Sequence, residues 1–428
     1  MANVTIHPGP LRGTVQVPPC KSMAHRLLIC AALADGRSEV RNLLPSDDVY
    51  ATIDGLRALG AAIGYDGQCA VVDGLPRTPA PDTAREIDCN ESGSTLRFLI
   101  PIALQCGGRT HFTGRGQLGK RPLTPYYELF SQKGVQYAPT PERLDLTVEG
   151  TLPAGTYALR GDVSSQFITG LLFALSMAAG TSDIVLTTAL QSAGYVDLTV
   201  EAMAQFGVTV QRIRDGYRIV GGQRYAPQVR SVEGDDSQSA FFLCADMLGS
   251  DVAVAGLNPD SQQADRVITE LLMRMGGQVC ETAQGRRMRC AVRRAATIDA
   301  GGCPDIIPVL CAVAAVCPGT TRIVNAGRLR IKECDRLHAT ACELNALGAR
   351  ITEHDDALTI EGVERLSGGA QAWSHRDHRI AMMLAIAATA CEKPVLLTDV
   401  ECVNKSYPQF FRDFVQLGGK VHGRYVGQ

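Results

Sequence analysis

Eight cationic side chains, Lys21, Arg26, Arg97, Arg121, Lys332, Arg336, Arg379 and Lys405, stand in short polar clusters in both halves of a 428-residue chain whose formal net charge is −2. Clustered cations in a slightly acidic chain suit small, highly anionic ligands and can steer them into a site. They do not suit general nucleic-acid binding, which goes with a basic excess. Lys21, Asp305 and Glu333 are the candidate acid/base groups among the clusters.

Each cluster also has a plainer interpretation. In PPCKSMAHRLL, Lys21 and Ser22 open an apolar helix and Arg26 follows one turn later, so all three can reach one ligand. A Ser N-cap with solvated cations would give the same sequence. In NESGSTLRF, Ser92, Gly93, Ser94 and Thr95 form a donor-rich helix start before Arg97, and Gly93 allows a ligand to approach the backbone. The loop FTGRGQLGKRPL, residues 112–123, offers Lys120 and Arg121 to a carboxylate or phosphate; it is not a Walker loop, and an exposed basic loop is the alternative. Ser164, Ser165 and Gln166 in GDVSSQF, with Tyr195 expected near a strand or turn, suit a polyhydroxylated ligand. In RLRIKECDRL, Lys332 and Arg336 are expected on one helix face, where an ordinary salt-bridged surface is the competing interpretation. SHRDHRIAMML places Asp377, His378 and Arg379 at a buried helix start, and VNKSYPQF adds Lys405. His375 and His378 lack the further ligands of a metal site, so no metal is expected. Asp305 precedes an apolar run and is expected to have a raised pKa.

The elements that must position these groups repeat six times. Polar starts near Ser22, Ser92, Ser165, Asp236, Asp305 and Asp377 each open a helix that is apolar nearly all round and therefore buried. A more polar helix follows each, ending at Gly60, Gly134, Gly207, Gly276, Gly348 or Gly418 before a strand. Repetition about every 70 residues indicates βαβ-type units, divided three and three near residues 232–236. Hydrophobic residues make up 45%, which indicates a globular chain with substantial cores. The apolar runs fall short of a membrane span. Fifteen cysteines without a C-x-x-C pair suggest a reducing compartment, and strand-like sequence from the N-terminus leads us to expect no targeting peptide and a cytoplasmic location.

P-x-x-K-S-x-x-H-R, E-S-G-S-T-L-R-F, T-G-x-x-x-L-x-x-R-P-L, S-S-Q-F, R-I-K-E-x-D-R and D-H-R-I-A-M occur in this order and closely resemble the 5-enolpyruvylshikimate-3-phosphate (EPSP) synthase family across essentially the whole chain. The resemblance implies a two-domain inside-out α/β barrel with three repeats per domain around buried parallel helices. The domains would be residues 21–235, and 1–20 with 236–428, with the active site in the cleft between them. It implies shikimate 3-phosphate on Lys21, Ser22, Arg26, Ser164, Ser165, Gln166, Tyr195, Asp305, Arg328 and Lys332. Phosphoenolpyruvate would lie on Lys21, Gly93, Arg97, Arg121, Gln166, Arg336, Arg379 and Lys405. Enolpyruvyl transfer would proceed by addition–elimination, with Asp305 as base, Glu333 as proton carrier and Lys21 assisting phosphate departure. No metal or organic cofactor, a monomer, and inhibition by glyphosate are also implied. Glu91, Arg328 and Cys20 depart from the usual family residues. The sister enzyme UDP-N-acetylglucosamine enolpyruvyl transferase shares the chemistry, but it carries Lys-Asn and a loop Cys where this chain has Lys21-Ser22 and no Cys in 112–123. A catalytically inactive anion-binding module is the remaining alternative.

Overall fold

Six apolar segments form helices that leave no face for water. Asp236–Met247 is buried at every residue, as is Ile307–Ala314. Lys21–Leu33, Gly93–Gln105, Ser165–Met177 and His378–Thr389 are buried over nearly their whole lengths. Such helices gain stability from the solvent they exclude, about 1.5–3 kcal/mol for each large apolar side chain fully buried.

The computed structural model describes residues 2–76, 83–140 and 143–425. They divide into two units: Pro19–Val232, and the residues up to Pro18 together with those from Glu233 onward. Each unit has its own continuous apolar core. Among the described residues no helix is long and apolar enough to cross a membrane.

One sheet illustrates the repeat. Ala84–Asp88 runs parallel to Arg109–Thr113, and the buried helix Gly93–Gln105 makes the crossover that a parallel pair requires. The outer helix Thr124–Lys133 follows, then the hairpin strands Gln136–Pro139 and Asp145–Glu149; Asp145–Glu149 pairs antiparallel with Arg109–Thr113. The same strand order recurs in the other four-stranded sheets, three in each unit. Two of those sheets take strands from the chain's start. Val4–His7 lies between Val395–Thr398 and Lys420–Gly423, and Arg12–Gln16 pairs parallel with Asp251–Ala255. Val229–Ser231 in turn pairs with Arg37–Arg41 in the first unit.

The turn after each outer helix needs a left-handed residue. Gly60, Gly134, Gly207, Gly276, Gly348 and Gly418 all have positive φ, between 73° and 112°, which a residue without Cβ adopts at no steric cost.

Two local expectations are corrected. Tyr195 lies in the first turn of the helix Ala193–Gln205, not in a strand or turn. Lys332 and Arg336 do not share a helix face: Lys332 is extended backbone ending a 3₁₀ turn, Gly327–Ile331, and Arg336 begins the next helix behind its cap Asp335.

Candidate active site

In the unit Pro19–Val232, three buried helix starts carry the polar groups. Ser22 is the second residue of Lys21–Leu33 and not its cap, so the capping interpretation does not apply. Arg26 is 2% exposed and is held from three sides: Nε donates to Thr199 Oγ1 at 2.8 Å, Nη1 to the Ser22 carbonyl at 2.6 Å and Nη2 to the Tyr195 carbonyl at 2.8 Å. Its guanidinium also lies over the Phe98 ring. Lys21 Nζ pairs with Asp48 at 2.7 Å.

Ser92 caps the second helix start, accepting from the Thr95 backbone N–H. Arg97 lies over the Phe167 ring, and its Nη1 donates to Gln166 Oε1 at 2.7 Å. Gln166 Nε2 in turn donates to Ser94 Oγ at 3.0 Å, joining the second and third starts. Ser164 caps the third, with Ser165 buried behind it. A Cβ built on Gly93 would lie 2.6 Å from Arg121 Nη1, so this guanidinium rests directly on the glycine. Arg121 is therefore aimed at the second start and is not simply part of an exposed basic loop. Glu91 packs against Gly116 of the same loop, where a Cβ would meet its carboxylate.

The other unit gathers its cations around carboxylates. Arg336 is 1% exposed and reaches three acids: Asp377 at 2.7 Å through Nε, Asp305 at 2.8 Å through Nη1 and Glu333 at 2.8 Å through Nη2. Asp377 is wholly buried and also caps its own helix through the Arg379 N–H. The two residues before it, His375 and Arg376, both have positive φ, a strained approach that places the acid under Arg336. Lys332 lies 3.2 Å and Arg379 3.7 Å from Asp305, and Lys405 lies 3.7 Å from Glu333. Arg328, on the 3₁₀ turn, adds positive charge near Lys332.

The expected rise in the Asp305 pKa is reversed. Burial does push it up, but Lys332, Arg379 and Arg336 together outweigh burial and hold the carboxyl well below the usual carboxylate range. Lys332 is displaced downward, mainly by burial against the attraction of Asp305.

The structure adds residues that the motifs did not single out. Asp48 resembles an ordinary acidic residue in a helix first turn. Thr199 lies in one of the more polar outer helices, where a threonine carries no signal of its own. Asp265 receives the Ser237 hydroxyl and is pushed up to about 6 by burial and then by Asp305. Among the described residues, no group of three His, Cys, Asp or Glu side chains stands ready to hold a metal ion.

Fold and site together define a two-unit α/β protein with cation-rich buried helix starts, a scaffold of enolpyruvyl transferases. Residues 6–414 match the family EPSP synthase (3-phosphoshikimate 1-carboxyvinyltransferase). The 3-phosphoshikimate 1-carboxyvinyltransferases of Clostridium botulinum (strain Eklund 17B / Type B) and Clostridium beijerinckii are each 49% identical, with full coverage of both chains. The EPSP synthase structure from Acinetobacter baumannii aligns with TM-score 0.79 and 25% identity over 99% of this chain and 100% of that one. The enolpyruvyl transferase NikO from Streptomyces tendae, 19% identical over 99% of each chain, shares the fold with TM-score 0.80. The chain belongs to the EPSP synthase family. It is a transferase of the shikimate pathway, which leads to the aromatic amino acids.

Proposed function

We propose that the two clusters serve one reaction, the transfer of the enolpyruvyl group of phosphoenolpyruvate to the 5-hydroxyl of shikimate 3-phosphate with release of phosphate. The observation that carries this reading is the gathering of Lys332, Arg336 and Arg379 around Asp305, opposed in kind to Arg26, which neutral oxygens hold. Shikimate 3-phosphate lies on Lys21, Ser22, Arg26, Ser164, Ser165, Gln166, Tyr195, Asp305, Arg328 and Lys332. Phosphoenolpyruvate lies on Lys21, Gly93, Arg97, Arg121, Gln166, Arg336, Arg379 and Lys405.

In the addition step, the 5-hydroxyl oxygen bonds to C2 of phosphoenolpyruvate, its proton goes to Asp305, and C3 takes a proton from Glu333. The tetrahedral adduct then returns a C3 proton to Glu333 and expels phosphate, which carries away the proton held by Asp305, and the vinyl group is restored. Lys21 neutralises the departing phosphate. A carboxyl held well below its usual range is a weak base. Anionic ligands compete for Arg336 and Arg379, and as these cations turn to the ligands the proton affinity of Asp305 rises. Substrate binding itself therefore activates the base.

Glyphosate, an anion of similar size to phosphoenolpyruvate, competes with it at the Gly93 helix start, and the enzyme acts as a monomer. The test is phosphate release from phosphoenolpyruvate with shikimate 3-phosphate or UDP-N-acetylglucosamine supplied in parallel. Release with shikimate 3-phosphate alone is expected, abolished in Asp305→Asn. Release with the sugar nucleotide alone, or with neither, overturns the assignment. Sedimentation at working concentration checks the monomer.

A further inference from the structure

His25 lies between Lys21 and Arg26 on the first buried helix and is 0% exposed. Its Nδ1 is 2.7 Å from Thr52 Oγ1, which is 2.7 Å from Thr95 Oγ1. The Thr95 hydroxyl donates to Ser92 Oγ at 2.8 Å, and the Thr95 backbone N–H reaches the same oxygen at 3.2 Å. Thr52, Thr95 and Ser92 are all 0% exposed, so no solvent enters the chain of bonds.

Counting protons fixes its direction. A hydroxyl has one hydrogen to donate. Thr95 gives its hydrogen to Ser92, so it accepts from Thr52. Thr52 then has none for the imidazole, so His25 donates from Nδ1. The imidazole is the Nδ1–H tautomer, and Nε2 is a bare acceptor that has no hydrogen-bond partner among the described residues. The O–H dipoles all point toward Ser92, where they add to the positive end of the helix Gly93–Gln105.

We propose that His25, as the Nδ1–H tautomer, is a positioning residue that aligns the Thr52–Thr95–Ser92 chain and so tunes anion binding at the Gly93–Arg97 helix start. The electrostatics agree. Burial lowers the pKa to about 3, Lys21 and Arg26 push the same way, and Asp48 opposes them. With no cation forming on His25 in the working range, the direction of the chain stays fixed.

The kinetic consequence rests on phosphoenolpyruvate binding at that helix start, so the test has two arms. The first is ¹⁵N imidazole NMR of the ligand-free enzyme, with the His25 signal assigned by its loss in His25→Asn. The expected result is Nδ1 protonated and Nε2 bare, unchanged from pH 5.5 to 8. An Nε2–H tautomer, or a protonation midpoint inside that range, overturns the proposal whatever the ligand assignment. The second arm is steady-state kinetics. His25→Leu, which cannot donate, should raise KM for phosphoenolpyruvate about tenfold, as expected for one lost hydrogen-bond alignment, with KM for shikimate 3-phosphate little changed. His25→Asn, whose amide N–H can replace Nδ1–H, should restore most of it. Equal changes in both KM values, or no rescue by Asn, overturns the kinetic half; a correct tautomer with that outcome would locate the error in the ligand assignment.

Discussion

Arg26 in one unit and Arg336 in the other are held by different chemistry. In Pro19–Val232, Arg26 and Arg97 are fixed by carbonyl, amide and hydroxyl oxygens and by aromatic faces. The neutral acceptors around Arg26 orient its guanidinium without cancelling its charge, which an incoming anion then meets. In the other unit Lys332, Arg336, Arg379 and Lys405 lie 2.7–3.7 Å from Asp305, Glu333 or Asp377. Here an anion must displace a carboxylate, and each displacement changes that carboxylate's proton affinity. The first arrangement is built for binding. On the proposed assignment, the second couples binding to proton transfer, as an addition–elimination step requires.

The sharpest way to break this comparison is to remove the buried acids. Asp377→Ala leaves Arg336 in a 1% exposed position without its bidentate partner. Losing one member of a buried pair costs about 3–5 kcal/mol, and the misplaced guanidinium should also reduce kcat/KM by more than about tenfold. Asp48→Ala removes a carboxylate partner of Lys21, whose side chain is 15% exposed and can recruit water, so about 1 kcal/mol is expected. Thermal unfolding of the two variants ranks them; Asp48→Ala as the costlier change would reverse the comparison.

The units should also respond to pH with opposite sign. In the second, burial, followed by Asp235, Glu233 and Asp265, raises Asp236 to about 7, and burial raises Asp246 to about 6. A carboxyl whose folded pKa exceeds its unfolded one holds an extra proton when folded. Its stability contribution is therefore present below pH ~4 and is lost as pH rises through ~7. His25 is the reverse: its folded pKa of about 3 lies below the unfolded 6.5, so the unfolded chain binds the proton and stability is lost as pH falls below 6.5. The loss should be about 2 kcal/mol by pH 5. Asp305, also depressed, adds acid sensitivity only below the ordinary carboxylate range. Between pH 5 and 7.5, hydrogen exchange should slow in Lys21–Leu33 as pH rises and quicken in Asp236–Met247, after correction for intrinsic rates. Asp236→Asn should stabilise the enzyme at pH 8 by up to about 4 kcal/mol and flatten the second trend. Parallel trends in both helices would refute the opposition.

How much of this was legible in the sequence follows the same division. The cationic helix starts were visible because a polar cluster before an apolar run is a local signal. Ser22, Arg26, Gly93, Arg97 and Gln166 all fall where that signal places them. The acids were harder to read because their meaning is non-local. Asp305 looked like an acid beside apolar residues, while the cations that reverse its pKa come from 27 and 31 residues away and from the Arg379 helix. Asp377 was seen at a helix start, but its pairing with Arg336 spans 41 residues and exists only once the sheets have formed. The i,i+4 spacing of Lys332 and Arg336 suggested one helix face; the 3₁₀ turn ends at Ile331 and the next helix starts only at Arg336, so the stretch from Lys332 to Asp335 is not helical and the two cations converge on Asp305 by another route. The sixfold repeat carried furthest, since the apolar helices and terminal glycines each obey a local rule that the fold then reuses.

A more local change probes the Gly93 helix start itself. Gly93→Ala places a methyl where Arg121 Nη1 would lie 2.6 Å away, a distance that forces movement. The far end of a flexible side chain can give way, so the fold should survive with little change in melting temperature. The displaced guanidinium, however, is one proposed to meet phosphoenolpyruvate. KM for phosphoenolpyruvate should rise about tenfold, equivalent to ~1.4 kcal/mol, and inhibition by glyphosate should weaken at least as much. KM for shikimate 3-phosphate should stay within about twofold, because Arg26 and its three acceptors are untouched. Inhibition kinetics with each substrate varied in turn settle the point. If glyphosate still binds Gly93→Ala as tightly as the parent, Arg121 does not meet the ligand at that helix start, and the direct-binding role assigned to this unit loses its clearest contact.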